Sequence, residues 1–408
     1  LTYLISMTIF TSLILVLVGI CLFVEAKVVK KGDSRVVIND DEEKSIQTPI
    51  GTTLLASLSN SGIFIPSACG GGGSCGMCKC KVTEGVEGFI PTELAHLSRK
   101  EKMDNIHLAC QLKVKDDLRI RIPEEIFNVK KYSATVVSNV NVATFIKELV
   151  LELDEGETLS YQAGAYIQID IPEYELSFSQ FRVRVSERFR PTWDRFNLWG
   201  LKSRVETPIF RAYSLASPPS ENRRLSFTIR IATPPPGKKS VPPGAGSSFI
   251  FNLQEGNKVT LSGPFGDFVA KESEREMCYI GGGAGMAPLR SHIFHQLETL
   301  QTKRKITFWY GARSIAELFF EDEFKQLEEK HPNFKYYVAL SQPESDDKWN
   351  GMLGYIHECL LDNYLQQHEN PTELEYYLCG PPMMVDAVEA MLDDLGVEPE
   401  MIAYDKFS

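Results

Sequence analysis

The sequence predicts a multi-domain protein of four parts in series. These are an apolar N-terminal helix, an α+β unit built round a cysteine loop, an antiparallel β-barrel and an α/β unit with a parallel sheet. Three observations predict this order. The first 24 residues carry no charged side chain. Short alternating strands without long helices fill 133–262, and from Met277 onward strands alternate with helical runs. At 408 residues the chain has length for two or three domains, and 43% hydrophobic with 24% charged residues is a folded composition. The net charge of −11 argues against nucleic acid as a general partner, because phosphate binding needs a basic face.

The N-terminal run from Met7 to Val24 is nearly all apolar. A helix needs ~20 such residues to cross a bilayer, so 1–26 reads as one transmembrane helix. Val24-Glu25-Ala26 would suit signal-peptide cleavage, but no positive charge precedes the run and it exceeds a signal core in length. Lys27, Lys30, Lys31 and Arg35 follow at once, which places the body after them in the cytoplasm. The span holds no ionisable side chain, so nothing here reads as an ion path.

The next unit starts with an alternating strand over 34–39 and an acidic turn at 40–43. A helix over 52–61 stopped by Gly62, a strand at 79–82 and another at 117–123 follow. A polar stretch, 124–131, reads as a linker. At the centre lies Cys-Gly-Gly-Gly-Gly-Ser-Cys-Gly-Met-Cys-Lys-Cys from Cys69 to Cys80. Cys69, Cys75 and Cys78, with Cys110 about thirty residues on, approach the Cys-x4-Cys-x2-Cys…Cys spacing of a [2Fe–2S] centre. Glycines let the backbone come close to cluster sulfides. Cys-x2-Cys is also a zinc half-motif, but zinc sites pair two short hairpins and here the fourth cysteine is solitary. Cys80 reads as a buried strand residue rather than a ligand. Nine cysteines, five of them round one loop, suit a reducing compartment rather than a disulfide framework. The stretch resembles the ferredoxin-like [2Fe–2S] domain, with a first gap of the adrenodoxin type.

Strands at 133–138, 146–153, 165–170, 225–231 and 258–262 suggest the barrel. Arg211-Ala-Tyr-Ser214 lies before its later strands, and Pro242-Pro-Gly-Ala-Gly-Ser-Ser248 is a rigid turn suited to an anion at a helix start. In the last unit a strand at 277–280, a helix at 289–300 and a strand at 305–310 form a βαβ pattern. Gly281-Gly-Gly-Ala-Gly-Met-Ala-Pro288 sits at its strand-to-helix turn, where a dinucleotide pyrophosphate can meet backbone N–H groups. Tyr376-Tyr-Leu-Cys-Gly-Pro-Pro382 ends a later strand. These three motifs, in this order, resemble the ferredoxin–NADP reductase superfamily.

That resemblance implies an antiparallel β-barrel FAD domain and an α/β Rossmann-like NADH domain. It implies that Arg211 binds the flavin pyrophosphate, Tyr213 stacks on the isoalloxazine and Ser214 sits near flavin N5. Gly246, Ser247 and Ser248 would cradle the flavin phosphates. Gly282, Gly283, Ala284, Gly285 and Met286 would face the nicotinamide nucleotide. Cys379, with Gly380 and Pro381, would lie at the hydride-transfer position, and Phe407 would cover the second flavin face. Arg313 is the one basic residue after Tyr310 placed to meet a 2′-phosphate, which favours NADH over NADPH. The catalytic set implied is Ser214, Cys379 and Phe407.

The whole chain resembles the family of NADH-oxidising subunits of bacterial Na⁺-translocating NADH:quinone reductases. The implied parts are the transmembrane helix (1–26), the ferredoxin-like [2Fe–2S] domain (34–128), the FAD domain (129–272) and the NADH domain (273–408). The implied path runs from NADH as hydride to FAD, then as single electrons to [2Fe–2S], to membrane subunits and to ubiquinone. The implied place is the bacterial inner membrane, single-pass, with a cytoplasmic body; sodium movement would belong to partner subunits. Two alternatives stay open at this point, the reductase component of a multicomponent oxygenase and a membrane-tethered electron carrier. The segment 177–200 interleaves arginine with aromatics and reads as an inserted, solvated loop. Its Arg184, Arg188 and Arg190 are expected to dock the body onto its complex.

Overall fold

The computed structural model describes residues 2–28, 32–235, 238, 241–345 and 347–406, without the side chains at 2, 4, 21–28 and 406. Phe407 lies outside them. Contacts divide the chain into two units, 1–67 with 71–128, and 68–70 with 129–408.

In the first unit, helix α1 (Thr2–Val28) carries apolar side chains on every side, and Ile9, Phe10, Leu13 and Leu17 are all exposed. Among the described residues no helix is long and apolar enough to cross a membrane, so of the expected span it is the helix that is present. Strands β1 (Asp33–Ile38), β2 (Asp41–Pro49), β3 (Lys79–Glu84), β4 (Ile106–Leu108) and β5 (Leu118–Arg121) form a sheet in the order β2-β1-β5-β3-β4. The stretch expected as an acidic turn is β2, an edge strand paired antiparallel with β1. Its charges face solvent and meet Arg35 and Arg119 through Glu42, which is why an unpatterned acidic run can still be a strand. Helix α2 (Leu54–Asn60) starts on a Thr53 side-chain cap and buries Leu54, Leu55 and Leu58. Short helices α3 (Pro91–Leu94) and α4 (Arg99–Met103) precede β4.

The expected linker is instead a 3₁₀ turn at Glu124–Asn128 that runs into a long strand of the second unit. That strand is β6 (Lys130–Ala143), followed by β7 (Ile146–Leu153), β8 (Tyr166–Ile171), β9 (Tyr174–Ser177), α5 (Arg190–Arg195), β10 (Lys202–Val205), β11 (Ile209–Ser214), β12 (Arg224–Arg230), α6 (Ala245–Asn252) and β13 (Lys258–Phe265). Six strands make an antiparallel sheet in the order β11-β8-β13-β6-β7-β12. Its inward rows, such as Leu149, Leu151 and Leu153, fill one core with Ile250 and Leu253 at α6.

The 177–200 segment is not a solvated loop. It folds into 3₁₀ turns and α5, and its aromatics Phe178, Phe181, Phe189 and Trp193 form a buried cluster with Phe251 of α6. Trp193 is fully buried and donates its indole N–H to Thr144 O at 2.9 Å. Arg184 donates to Asn252 O at 2.9 Å and Arg190 to Val185 O at 3.0 Å, so both serve the fold.

The last part contains β14 (Met277–Gly282), α7 (Met286–Phe294), β15 (Ile306–Ala312), α8 (Glu321–Lys330), β16 (Phe334–Leu340), β17 (Met352–Leu353), α9 (Ile356–Asn363), β18 (Glu375–Gly380), α10 (Pro382–Asp394) and β19 (Ile402–Lys406). Its parallel sheet has the order β17-β16-β15-β14-β18-β19. Alternate residues of β14 enter different cores, Met277 and Tyr279 one, Cys278 and Ile280 the other. Both faces are therefore covered, as a parallel sheet requires. The helix expected at 289–300 begins earlier, at Met286, and ends in a wider π turn over His295–Thr299.

Candidate active site

The cysteine loop joins α2 to β3, and Gly70, Gly71, Gly73 and Gly76 all take positive φ there. At Gly73 a Cβ would lie 2.5 Å from Gln111 Nε2, and at Gly76 it would lie 3.0 Å from the His96 ring. Only glycine permits that path. Cys78 and Cys110 are buried, while Cys69 and Cys75 are half-buried. A hydrogen bond to the Cys110 thiol, then burial, with Cys75 nearby, raise Cys78 far above an ordinary thiol. Thiols so placed cannot ionise together without a compensating positive centre. Cys69 falls with the residues grouped in the second unit. Among the described residues no three His, Cys, Asp or Glu side chains are arranged to hold a single metal ion. Cys80 is buried on β3 opposite His107, its thiol pushed up to about 12 by burial and the charge of Glu93.

Strand β11 places Arg211 and Tyr213 on one face and Ser214 on the other. The first turn of α6 packs against that first face. A Cβ at Gly246 would lie 2.6 Å from Tyr213 Oη and 2.7 Å from Arg211 Cγ, so this close approach demands glycine. The amides of Ala245, Gly246 and Ser247 open the helix and have no carbonyl partner within it. Ser248 donates its N–H to Gly244 O at 3.0 Å. The Ser247 hydroxyl is already engaged, accepting from Ala232 N at 3.0 Å and donating to Gly244 O at 3.2 Å. Ser247 therefore offers its amide and not its side chain. Tyr174, which no motif marked, donates to Ala245 O at 2.6 Å and ties β9 to the same turn.

On the other face, Ser214 donates its hydroxyl to Asp405 Oδ2 at 2.8 Å, across 191 residues of sequence. Asp405 of β19 stands in register with Cys379 of β18. Burial, together with the nearby Asp267, raises the Asp405 carboxyl above its ordinary range, against the opposing Ser214 hydrogen bond. Burial first, and then Asp405, keep the Cys379 thiol neutral. Sequence reasoning missed Asp405 because β19 carries no motif; only the pairing of β18 with β19 brings it to Ser214.

The glycine turn after β14 closes against the same place. A Cβ at Gly285 would lie 2.1 Å from Cys379 O, and at Gly380 it would lie 2.5 Å from Met384 Cε and 3.1 Å from Gly282 N. Pro381 caps α10. Tyr310 donates to Gly283 O at 3.3 Å and Thr228 of the barrel to Ala284 O at 3.1 Å. The Met286 side chain is fully buried in the core, so only its backbone remains for a ligand. Helix α7 then docks on the barrel residue by residue. Arg290 donates to Ala216 O at 2.9 Å, Ser291 to Ser217 O at 2.7 Å and His292 to Phe268 O at 2.9 Å. Arg313 is exposed beyond β15. Burial and then the charge of Arg313 lower Arg230 of β12 while Glu317 opposes them, so a second cation lies near Arg313. It comes from another strand, and the stretch of sequence next to Arg313 holds none.

Three domain families match the chain: a 2Fe-2S iron-sulfur cluster binding domain over 37–115, an oxidoreductase FAD-binding domain over 200–269 and an oxidoreductase NAD-binding domain over 279–390. The chain is 52% identical to the F subunit of the Na(+)-translocating NADH-quinone reductase of Haemophilus ducreyi, over 98% of this chain and 97% of that protein. It is 51% identical to the protein of the same name in Serratia proteamaculans, with the same coverage. Among solved structures, the ferredoxin reductase in carbazole 1,9a-dioxygenase is 25% identical with a TM-score of 0.61, covering 93% of this chain and 99% of that one. The Amycolatopsis cytochrome P450 reductase GcoB shares the fold at a TM-score of 0.63 and 24% identity, covering 92% of this chain and 98% of its own.

Proposed function

Because the chain belongs to the family of F subunits of Na⁺-translocating NADH-quinone reductases, we propose a role for each motif in its NADH oxidation. The protein takes electrons from NADH through FAD and a [2Fe–2S] centre and works with the other subunits of that complex. FAD supplies the exchange between a two-electron hydride donor and a one-electron acceptor. The open amides of α6 and the Arg211 guanidinium bind its pyrophosphate, and the Tyr213 ring packs on its planar ring system. The glycine turn 282–285 and the Gly380-Pro381 turn hold the nicotinamide nucleotide where β14 and β18 end, the usual crevice of an open parallel sheet.

Ser214, with Cys379 beside Asp405, lines the place where nicotinamide and flavin meet. Neutral hydroxyl and thiol groups there exclude water without adding charge, and Asp405 holds the Ser214 hydroxyl in one orientation. Cys69, Cys75, Cys78 and Cys110 would hold the cluster through their thiolates, and the cluster would supply a one-electron acceptor. The parts follow the divisions 1–26, 34–128, 129–272 and 273–408. Helix α1 anchors the body, with Lys27, Lys30, Lys31 and Arg35 on the cytoplasmic side of a bacterial inner membrane. The sequence carries the apolar run on through Cys21-Leu-Phe-Val24, beyond the side chains described. The uncharged, nearly all-apolar run of sequence from Met7 to Val24 is what supports this anchor. Electrons leave for membrane subunits and finally ubiquinone.

The observation that carries this reading is the Ser214–Asp405 hydrogen bond, which joins a barrel motif to the strand beside Cys379. Ser214→Ala should lower kcat for NADH oxidation with ferricyanide about 10–100-fold, with KM for NADH little changed. An unchanged kcat would remove Ser214 from the hydride-transfer position.

A further inference from the structure

Helix α6, whose first turn meets Arg211 and Tyr213, ends on several side-chain caps. Asn139 of β6 donates to Ile250 O at 2.7 Å and to Leu253 O at 2.9 Å. Lys147 of β7 donates to Phe251 O at 3.4 Å, and Arg184 to Asn252 O at 2.9 Å. Three of the carbonyls at the helix end, those of Ile250, Phe251 and Asn252, thus have a side-chain donor. Two of the three donors are cations, the sign that the negative end of a helix favours.

Lys147 stands out among them. It is 1% exposed and occupies the inward row of β7 with Leu149, Leu151 and Leu153. Its other partners are Asn139 O at 3.3 Å and the Phe251 ring, 5.3 Å away. No carboxylate pairs with it among the described residues. Such hydrogen bonds are long, and burying an unpaired ammonium is costly, so a methionine would fill the row with less penalty to the fold. Among the described residues, the charged group that faces it is Arg184, which repels it. The opposite end of α6 is roughly 12 Å away, eight residues along the helix.

We infer that Lys147, with Arg184 beside it, is a positioning residue for FAD: it holds α6 so that the helix's open amides meet the flavin pyrophosphate, and its buried positive charge strengthens their attraction. This rests on the reading that the start of α6 holds the flavin phosphates. It also gives the 177–200 segment a task, since Arg184 and the aromatics packed on Phe251 come from there. Burial, followed by the charge of Arg184, lowers Lys147 from 10.5 to about 8. The charge is therefore lost on the folded chain at mildly alkaline pH, and FAD affinity should fall with it.

The test is equilibrium dialysis of FAD against the deflavinated full chain between pH 6.5 and 9.5. The wild type should bind FAD with a Kd that rises about tenfold through pH 8, the scale of one hydrogen bond to a charged group. Lys147→Met should bind about tenfold more weakly at pH 7, without that rise. Wild-type affinity in Lys147→Met, or the same rise persisting in it, overturns the inference. If Lys147→Met does not fold, Lys147→Arg serves instead, because its charge does not titrate: it should bind tightly and show no rise, and a persisting rise overturns the inference. Gly246→Val separates the two readings. If it binds FAD normally, the flavin phosphates are not at α6, whatever Lys147 does.

Discussion

Asp405 and His292 show how burial changes what a residue can do. Asp405 would be an ordinary surface acid in an extended chain. In the fold, burial raises its carboxyl while the Ser214 hydroxyl donates to it. A serine held this way cannot rotate freely, which is the pre-organisation a hydride-transfer site needs. His292 is the opposite case, a base kept neutral. Burial lowers it from 6.5 to about 4, against the favourable hydrogen bond to Phe268 O. Between those two values the unfolded chain carries the proton and the folded chain does not, so stability falls as pH drops through that window. The loss should reach up to about 3 kcal/mol by pH 4. Denaturant unfolding at pH 7 and pH 4, compared with His292→Gln, measures it. An equal acid loss in the variant would assign the effect to other groups.

At the scale of elements, two helices carry the arrangement. Helix α7 opens at the glycine turn, and three consecutive side chains, Arg290, Ser291 and His292, bond to barrel carbonyls. Helix α6 is gripped at both ends, by Tyr174 at its start and by Asn139, Lys147 and Arg184 at its finish. The 177–200 segment supplies part of that grip. Its arginine–aromatic pattern resembles a docking surface only while the aromatics are taken as exposed, and Phe178, Phe181, Phe189 and Trp193 are buried. Trp193→Ala should therefore destabilise the fold by about 3–5 kcal/mol, as removing a large aromatic from a core usually does. Thermal or denaturant unfolding would report it, and a loss under about 1 kcal/mol would mean that the cluster does not support the barrel. Charge reversal at Arg184 would disturb α6, so it cannot serve as a clean probe of assembly. Arg188, exposed over Phe189, remains suitable for that purpose.

For the whole molecule, the parts follow one another along the chain as apolar helix, cluster unit, barrel and nucleotide unit. Removing residues 2–28 should release NADH–ferricyanide activity into the soluble fraction at an unchanged rate. Activity that stays with the membranes would assign attachment to other surfaces of the body. The strands of the barrel and of the parallel sheet were legible because alternation and βα periodicity leave their mark on consecutive residues. Strand β2 was not, since an edge strand with ion-paired charges has no apolar row to read. The motifs of the proposed site were visible in the sequence where glycines, cysteines and Arg-Ala-Tyr-Ser stand together. Tyr174, Lys147, Arg230 and Asp405 escaped because each acts on a segment remote from its own. Arg230 also weakens the ground for excluding a 2′-phosphate, since cations counted along the chain omit one that approaches Arg313 from another strand.

The sequence by itself determined which chemistry-bearing residues stand together: a cysteine-rich loop, glycine-rich turns, and their order along the chain. Those properties reside in residue type and spacing, which backbone conformation and side-chain chemistry constrain locally. Only the tertiary structure decided which groups share a site. It set Asp405 against Ser214 and beside Cys379, turned Ser247 inward, buried Met286, and brought Lys147 and Arg184 to the end of α6. The physical reason is that strand register and helix packing, summed over the cores, fix distances between residues far apart in the chain.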